Sequence, residues 1–342
     1  MAGLEATTTH EPPVAPGGLG RRQEPALERE LEAHRRALTG YCYRMLGSVF
    51  EAEDAVQETM LRAWRGIDRF EGRAALKSWL YRIATNVSLD MIDSRGRRAR
   101  PMDLSEVGTP AGPLPTLPET TWIEPMPDGR ALPEGGDPAE LAVARETLRL
   151  AFVGALQHLP ARQRAVLILR EVLRWKASEV AELLDTSVAS VNSALQRARA
   201  ALADSDLSPT DPVGSIDAEQ EALVARYVEA FESYDIESLV ALIHEDATMS
   251  MPPYSLWLRG PVDVGRWMLG IGSGCRGSRL VAAGQANGSP AFGQYRVDPD
   301  GGHFPWGLVV LDTADGKVTG LNTFLDVGRL FPLFGLPDHL PA

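Results

Sequence analysis

The chain has 342 residues, 44% of them hydrophobic, which is enough for packed cores in two or three domains. It carries a net charge of −12 and two cysteines, Cys42 and Cys275, too few and too far apart for a disulfide framework or a zinc site. There is no run of about 18 apolar residues, and the start, MAGLEATTTHEPPVAPGGLG, lacks a basic-plus-apolar leader, so no membrane span and a cytoplasmic location are expected.

The charge is uneven along the chain. Residues 27–100 carry 14 basic and 11 acidic groups, and residues 141–204 carry 9 and 6. Residues 101–140 carry 1 and 8, and residues 205–342 carry 8 and 18. Basic modules joined to acidic stretches predict nucleic-acid contact in two places. The small basic surplus predicts weak DNA affinity for the free chain, since phosphate neutralisation supplies most non-specific binding.

Residues 1–26, rich in Pro, Gly and Thr, read as a disordered tail. From Leu27 on, Leu31, Leu38, Tyr41, Cys42 and Met45 predict a helix ending at Gly47. Glu51 to Trp64 predicts another, with Ala52, Val56, Met60, Ala63 and Trp64 inward. Asp54, Gln57, Glu58, Leu61 and Arg65 form its outward stripe, which taken alone reads as a solvated face. A Gly-containing loop, Phe70 to Lys77, then leads to Ser78 as a candidate N-cap. The following helix buries Leu80, Ile83, Ala84, Val87 and Met91 and leaves Trp79, Tyr81, Arg82, Asn86, Asp90 and Arg95 on its other side. Rings interleaved with Arg and Asn suit single-stranded DNA, where bases stack on aromatic faces; the same rings would also serve as half-buried core. Arg95, Arg97, Arg98 and Arg100 make a basic end suited to duplex phosphates.

Residues 101–140 hold nine prolines. They predict an acidic extended linker that does not fold alone, with one anchoring contact at Trp122 and Ile123. Leu141 to Leu156 predicts a lead-in helix. Gln157 to Leu202 then encodes three short helices. Pro160 suits a first turn, and Asp185, Thr186 and Ser187 can cap the last helix. In that helix Val188, Val191, Leu195, Ala198 and Leu202 share the buried face, Ser190, Ser193, Gln196 and Arg197 point away, and Asn192 and Arg199 flank them. A tight turn before such a helix is the helix-turn-helix pattern, whose second helix enters the major groove.

A second linker, 205–215, precedes an amphipathic helix, Ile216 to Tyr234, with Leu223, Tyr227, Val228 and Phe231 inward. A shorter helix, Ile236 to Ile243, follows. Strands are predicted at Ala247–Met251, Leu280–Ala286, Ala291–Val297, Leu308–Thr313 and Val318–Phe324, with hairpin signals at Asp298–Gly302 and Ala314–Lys317. Helices before a curved antiparallel sheet make an α+β domain. His244, Asp246, Asp263, His303 and Asp326 are its acid–base candidates, with no paired constellation among them. Trp257, Trp267, Phe292, Tyr295 and Trp306 could line a pocket for a small apolar ligand, or simply fill the core.

The run LPARQRAVLILRE, followed by a helix-turn-helix ending in SALQRARAAL, resembles the promoter-reading C-terminal domain of the sigma-70 superfamily, in particular its extracytoplasmic-function (ECF) group. The resemblance implies Asn192, Ser193, Gln196 and Arg197 as readers of the −35 element, with Lys176 and Arg199 on phosphates. Asn192 and Ala194 stand where the family often has basic residues, and Asn prefers adenine where Arg prefers guanine, which bears on the −35 sequence read. EAEDAVQETMLRAW is similar to the sigma segment that docks on the coiled coil of the polymerase's largest subunit, which implies Asp54, Gln57, Glu58 and Leu61 as contacts. FEGRAALK and the helix after it resemble the −10 region. That implies a loop, Glu71 to Lys77, capturing an extruded base, with Trp79, Tyr81, Arg82, Asn86, Arg95, Arg97 and Arg98 on DNA. By the same analogy the linker threads the polymerase cleft.

The pattern FxxxDxxxLxxLIHEDATMSMPP…RG resembles SnoaL-like domains, the cone fold shared with ketosteroid isomerases. The whole then reads as two all-α DNA-binding domains, 27–100 and 141–204, the second a helix-turn-helix, plus an α+β cone, 216–342. The implied protein is a sigma factor that binds core RNA polymerase, at its largest-subunit coiled coil and its flap, and promoter DNA, with the cone modulating activity in cis. No metal, cofactor or catalytic role is implied. The alternatives are a ligand-controlled helix-turn-helix regulator and an enzyme with a cyclase- or isomerase-like cone. An acidic cone is expected to be a poor DNA binder and to pack against the basic modules.

Overall fold

The computed structural model describes residues 24–67, 70, 75–133, 135, 137–203 and 218–342. It divides into two compact units, residues 1–35 and residues 36–342. In the first, α1 (Glu24–Glu32) starts inside the expected tail, and Arg35 Nε donates to Glu32 at 2.5 Å.

The first helical module follows. In α2 (Arg35–Leu46), Leu38, Tyr41, Cys42, Tyr43 and Met45 are buried. Gly47 stops the helix at φ 73°, a conformation a side chain would strain, and returns its N–H to Tyr43 O at 2.7 Å. Ser48 caps α3 (Val49–Gly66), its Oγ accepting Glu51 N–H at 3.2 Å. This helix buries Ala52, Ala55, Val56, Thr59 and Ala63. Trp64 is 43% exposed instead of inward, since it stands one step of about 100° past the Ala63 stripe. α4 (Leu76–Arg95) packs on α3. It begins two residues ahead of the expected cap: Ala75 holds the cap position without a side-chain bond, and Ser78 lies within the first turn.

The linker is not a free tether. Ala99 N–H donates to Thr121 O at 2.8 Å, Ile123 N–H to Ala99 O at 3.1 Å and Glu124 N–H to Gly47 O at 3.0 Å. Trp122, Ile123 and Met126 are buried, and a short helix, α5 (Asp128–Ala131), closes the segment. A chain too polar to fold alone is ordered here because folded neighbours accept its apolar side chains and its backbone hydrogen bonds.

In the second module the expected lead-in helix is two, α6 (Pro138–Glu146) and α7 (Leu150–Gln157). They part at Thr147, whose hydroxyl donates back to Val143 O at 2.9 Å. α8 (Ala161–Leu167) widens into a π turn over Ile168–Val172, and α9 (Ala177–Leu183) and α10 (Val188–Ala203) complete the unit. Ser187 caps α10, its Oγ accepting Ser190 N–H at 3.1 Å. Val191, Leu195 and Ala198 are buried against α8 and α9, whereas Val188, expected inside, is 43% exposed in the first turn.

The C-terminal domain opens with α11 (Ala218–Glu232) and α12 (Ile236–Ala241). Next come β1 (Ile243–Ser250), β2 (Trp257–Arg259), α13 (Gly260–Leu269), β3 (Arg279–Ala286), β4 (Ser289–Val297), β5 (His303–Ala314), β6 (Lys317–Phe324) and α14 (Val327–Leu333). The sheet order is β2-β1-β6-β5-β4-β3. The expected antiparallel sheet holds except for β1 and β6, which pair parallel; the intervening strands and α13 supply the long crossover such a pair needs. Bulges bend the sheet, and Tyr227, Phe231, Leu239 and Trp267 pack with Phe292, Leu311 and Leu321 in one core.

Candidate functional site

The exposed face of α10 is the one the sequence marks. Asn192, Ser193, Gln196, Arg197 and Arg199 are all exposed on it, as is Lys176 before α9. Lys176 spends its backbone N–H on Glu179 Oε2 at 2.7 Å, leaving its side chain outside the cap, and Arg199 reaches Glu171 at 2.6 Å. Short polar groups and guanidiniums on a helix anchored by Val191, Leu195 and Ala198 can approach base edges without disturbing the core.

The α4 face is covered at Tyr81, while Arg82, Asn86 and Arg95 are exposed. Tyr81 is buried between the rings of Tyr41, 5.2 Å away, and Trp175 of the second module, 5.1 Å away. Arg82 donates to Glu182 O of α9 at 2.5 Å, and Lys77 lies 5.8 Å from the Trp175 ring. Trp79 stacks on Phe70 at 4.9 Å, and Asn86 is exposed. Glu51 holds two of the basic residues: Arg95 at 2.9 Å and Arg98 at 2.9 Å. Burial pushes the Glu51 carboxyl up, but the two guanidiniums outweigh it and hold it below the usual range. Arg97 faces His158 at 3.4 Å. Of the loop Glu71 to Lys77, residues 71–74 lie outside the described residues.

On α3, Asp54, Gln57 and Leu61 are exposed and Glu58 is half-buried, bonded to Arg62 at 2.6 Å. Leu61, 44% exposed, is a large apolar group amid charges.

Sequence reading missed the clasp joining these parts. Asn287 heads the β3–β4 turn at φ 55° and is buried. Its Nδ2 donates to Tyr43 Oη of α2 at 2.7 Å and to Leu148 O of the second module at 2.6 Å. Its Oδ1 accepts Met126 N–H of the linker at 2.8 Å, and its own N–H returns to Met126 O at 3.0 Å. Gly288 N–H donates to Asp128 Oδ1 at 2.8 Å. The signal was the Asn-Gly pair, the strongest short hairpin signature, but nothing in it tells that the turn is buried. Arg44 belongs to the same clasp: Nη2 donates to Ala144 O at 2.9 Å and Nε to Thr147 O at 3.1 Å. Burial lowers its pKa to about 10. Arg164 likewise donates to Met45 O and, at 2.6 Å, to Gln157 Oε1.

The cone interior holds a cavity of about 30 Å3 lined by Tyr227, Phe231, Met249, Trp267, Gln294 and Trp306 among others. None of His244, Asp246, Asp263, His303 and Asp326 lines it. They are scattered over the domain: His244 Nδ1 accepts Asp246 N–H at 3.1 Å, Asp246 pairs with Arg259 at 3.2 Å, and Asp263 with Arg266 at 3.4 Å. Of the aromatic set, Trp257 lies against the linker, its Nε1 donating to Ser105 O at 2.9 Å, and Tyr295 meets Phe331 of α14 edge-on at 5.2 Å; neither lines the interior cavity. Among the described residues no helix is long and apolar enough to cross a membrane, and no His/Cys/Asp/Glu group could hold a metal.

Three family models match: Sigma-70 region 2 over residues 31–98, Sigma-70, region 4 over 149–202, and SnoaL-like domain over 224–321. The ECF RNA polymerase sigma factor SigG of Mycobacterium tuberculosis is 44% identical over 330 residues, covering 93% of this chain and 87% of the relative. SigJ of the same organism is 30% identical over 304 residues, covering 85% and 89%. The crystal structure of SigJ superposes with a TM-score of 0.58 at 25% identity, over 91% of this chain and 99% of that one. The chain belongs to the ECF family of RNA polymerase sigma factors, with sigma-70 regions 2 and 4 followed by a SnoaL-like domain.

Proposed function

We propose that this sigma factor works in the cytoplasm, docks on core RNA polymerase and reads promoters in two places, while the cone holds the free chain closed. Docking is assigned to Asp54, Gln57, Glu58 and Leu61 against the coiled coil of the largest subunit, and region 4 to the flap. Asp54 and Gln57 are exposed beside an exposed, apolar Leu61, with Glu58 half-buried, and such a patch of acidic and apolar groups fits a basic partner helix. The −35 readers are Asn192, Ser193, Gln196 and Arg197, with Lys176 and Arg199 on phosphates. The −10 set is Trp79, Tyr81, Arg82, Asn86, Arg95, Arg97 and Arg98. Region 4 lies over part of that set through Trp175 and Glu182, so α9 must leave α4 before Tyr81 and Arg82 can meet DNA.

The observation that carries control in cis is Asn287: one side chain of the cone bonds region 2, the linker and region 4. A catalytic role for the cone is not favoured, because its acid–base candidates do not meet in its interior. Run-off transcription with purified core enzyme tests the reading. Full chain, residues 1–204, and the full-length Asn287→Gly variant should initiate at the same promoter with different strength. Equal strength in all three would remove control in cis, and no initiation by any would remove the sigma assignment.

A further inference from the structure

The outward face of α3 begins one turn before Asp54. At about 100° per residue, Phe50 falls in line with Asp54, Gln57 and Leu61. Phe50 is half-buried, and an arginine of the cone sits on it: Arg329, in the first turn of α14, has its Cζ 3.7 Å from the ring centroid. A guanidinium at that distance over an aromatic face is a cation–π contact. The same guanidinium reaches Glu124 at 3.2 Å and Asp326 at 3.4 Å. A second arginine from outside region 2 lies close by, since Arg130 of α5 pairs with Glu53. The first turn of α3, a ring among carboxylates, thus holds guanidiniums from two other segments. Arg329 is free to leave: its side chain is 45% exposed, whereas the adjoining Leu330 and Phe331 are buried and anchor α14 without it.

We propose that Phe50 extends the polymerase-docking face of α3 and receives an arginine of the basic partner helix, in the place that Arg329 fills in the closed chain. Phe50 takes this role only if the Asp54 stripe is the docking face, as assigned above. The ring and the Asp54 carboxylate one turn on can serve one guanidinium together, the first by stacking and the second by charge, which a planar arginine does better than a lysine. Arg329 and the partner's arginine compete for the ring. The cone therefore weakens polymerase binding directly, apart from any cover it helps to hold over the DNA-reading residues.

Binding of the full chain to purified core polymerase, measured by competition against labelled wild type, tests it. Arg329→Ala should bind about two- to fivefold more tightly, the worth of one exposed cation–π contact, while amide exchange at the β3–β4 tip stays as in wild type. Arg329→Lys keeps the charge beside Glu124 but loses the planar stack, and should also bind more tightly. With Arg329→Ala in place, adding Phe50→Leu should weaken binding by about the same factor, and adding Phe50→Tyr, which keeps the ring, should not. Phe50→Met replaces the leucine variant should that one not fold. If Phe50→Leu has no effect in this background while Asp54→Lys with Glu58→Lys abolishes docking, the stripe stands and Phe50 is not part of it. In that case a gain from Arg329→Ala with faster exchange at the tip makes Arg329 a tether of the cone alone. Docking that survives the double charge reversal takes the docking face and Phe50 down together.

Discussion

At Asp128 a single carboxylate makes the clasp sensitive to pH. Burial pushes its pKa up to about 6, against the partial relief of the Gly288 N–H and of Arg145; Tyr43 is the other titratable neighbour. Oδ2 is buried with no partner among the described residues. The folded chain therefore binds a proton here that the unfolded chain, titrating near 4, has already released. Stability falls as pH rises from about 4 to about 6, by an upper bound of about 3 kcal/mol before solvent relaxation. Asp128→Asn keeps the acceptor for Gly288 and removes the charge. Its melting temperature should gain on wild type as the pH is raised from 4 to 7, then stay level. A difference that is flat across this range would mean that the carboxylate ionises there without penalty. The residue was one acidic group among eight in a linker read as solvated, because charge in a sequence says nothing of what will later cover it.

The helices α3 and α10 were legible because each packs its core along one face, so apolar periodicity and burial coincide except in an end turn of each, where Trp64 and Val188 are exposed. Where that condition fails, reading failed with it. Tyr81 is covered on both sides, by Tyr41 and by Trp175, and no pattern within α4 marks the second cover. The order of residues 99–133 likewise comes from other segments, and the break between α6 and α7 adds the distant Arg44 to the local Thr147–Val143 bond, which local sequence cannot report. The two legible helices give two predictions. Arg197→Ala should weaken holoenzyme binding to a −35 duplex by roughly 1–3 kcal/mol, read by competition against a scrambled duplex, with the melting temperature unchanged because the side chain is exposed. An equal loss on both duplexes would make Arg197 a phosphate contact. Asp54→Lys combined with Glu58→Lys should abolish co-purification with core polymerase while leaving the α3 core of Ala52, Val56 and Ala63 untouched. Persistence of the complex would leave that stripe as a solvated face.

For the whole molecule, the question is whether the cone holds the DNA-binding halves or merely touches them. The hairpin tip is the place to ask, because Asn287 meets region 2, linker and region 4 within hydrogen-bond distance. Each such bond contributes about 0.5–1.5 kcal/mol net, and the groups left behind are buried. Tyr43 Oη would keep its bond to Glu124 O at 2.8 Å, but Leu148 O and Met126 N–H would lose the Asn287 side chain. Glycine accepts the φ of 55° without strain, so Asn287→Gly removes the side chain and spares the turn. If these bonds couple the modules, amide hydrogen exchange should speed up together in the β3–β4 tip, in the linker around Met126 and in α9 over α4, while β4 to β6 keep their protection. The same variant should bind promoter DNA more tightly as free protein, since α9 leaves α4 more often; each 1.4 kcal/mol of lost closure is about tenfold in open population until opening dominates. Faster exchange confined to the hairpin tip, with DNA affinity unchanged, would reduce Asn287 to a turn residue and leave the closed arrangement resting on region 2–region 4 contacts such as Arg44 to Thr147 and Arg164 to Met45.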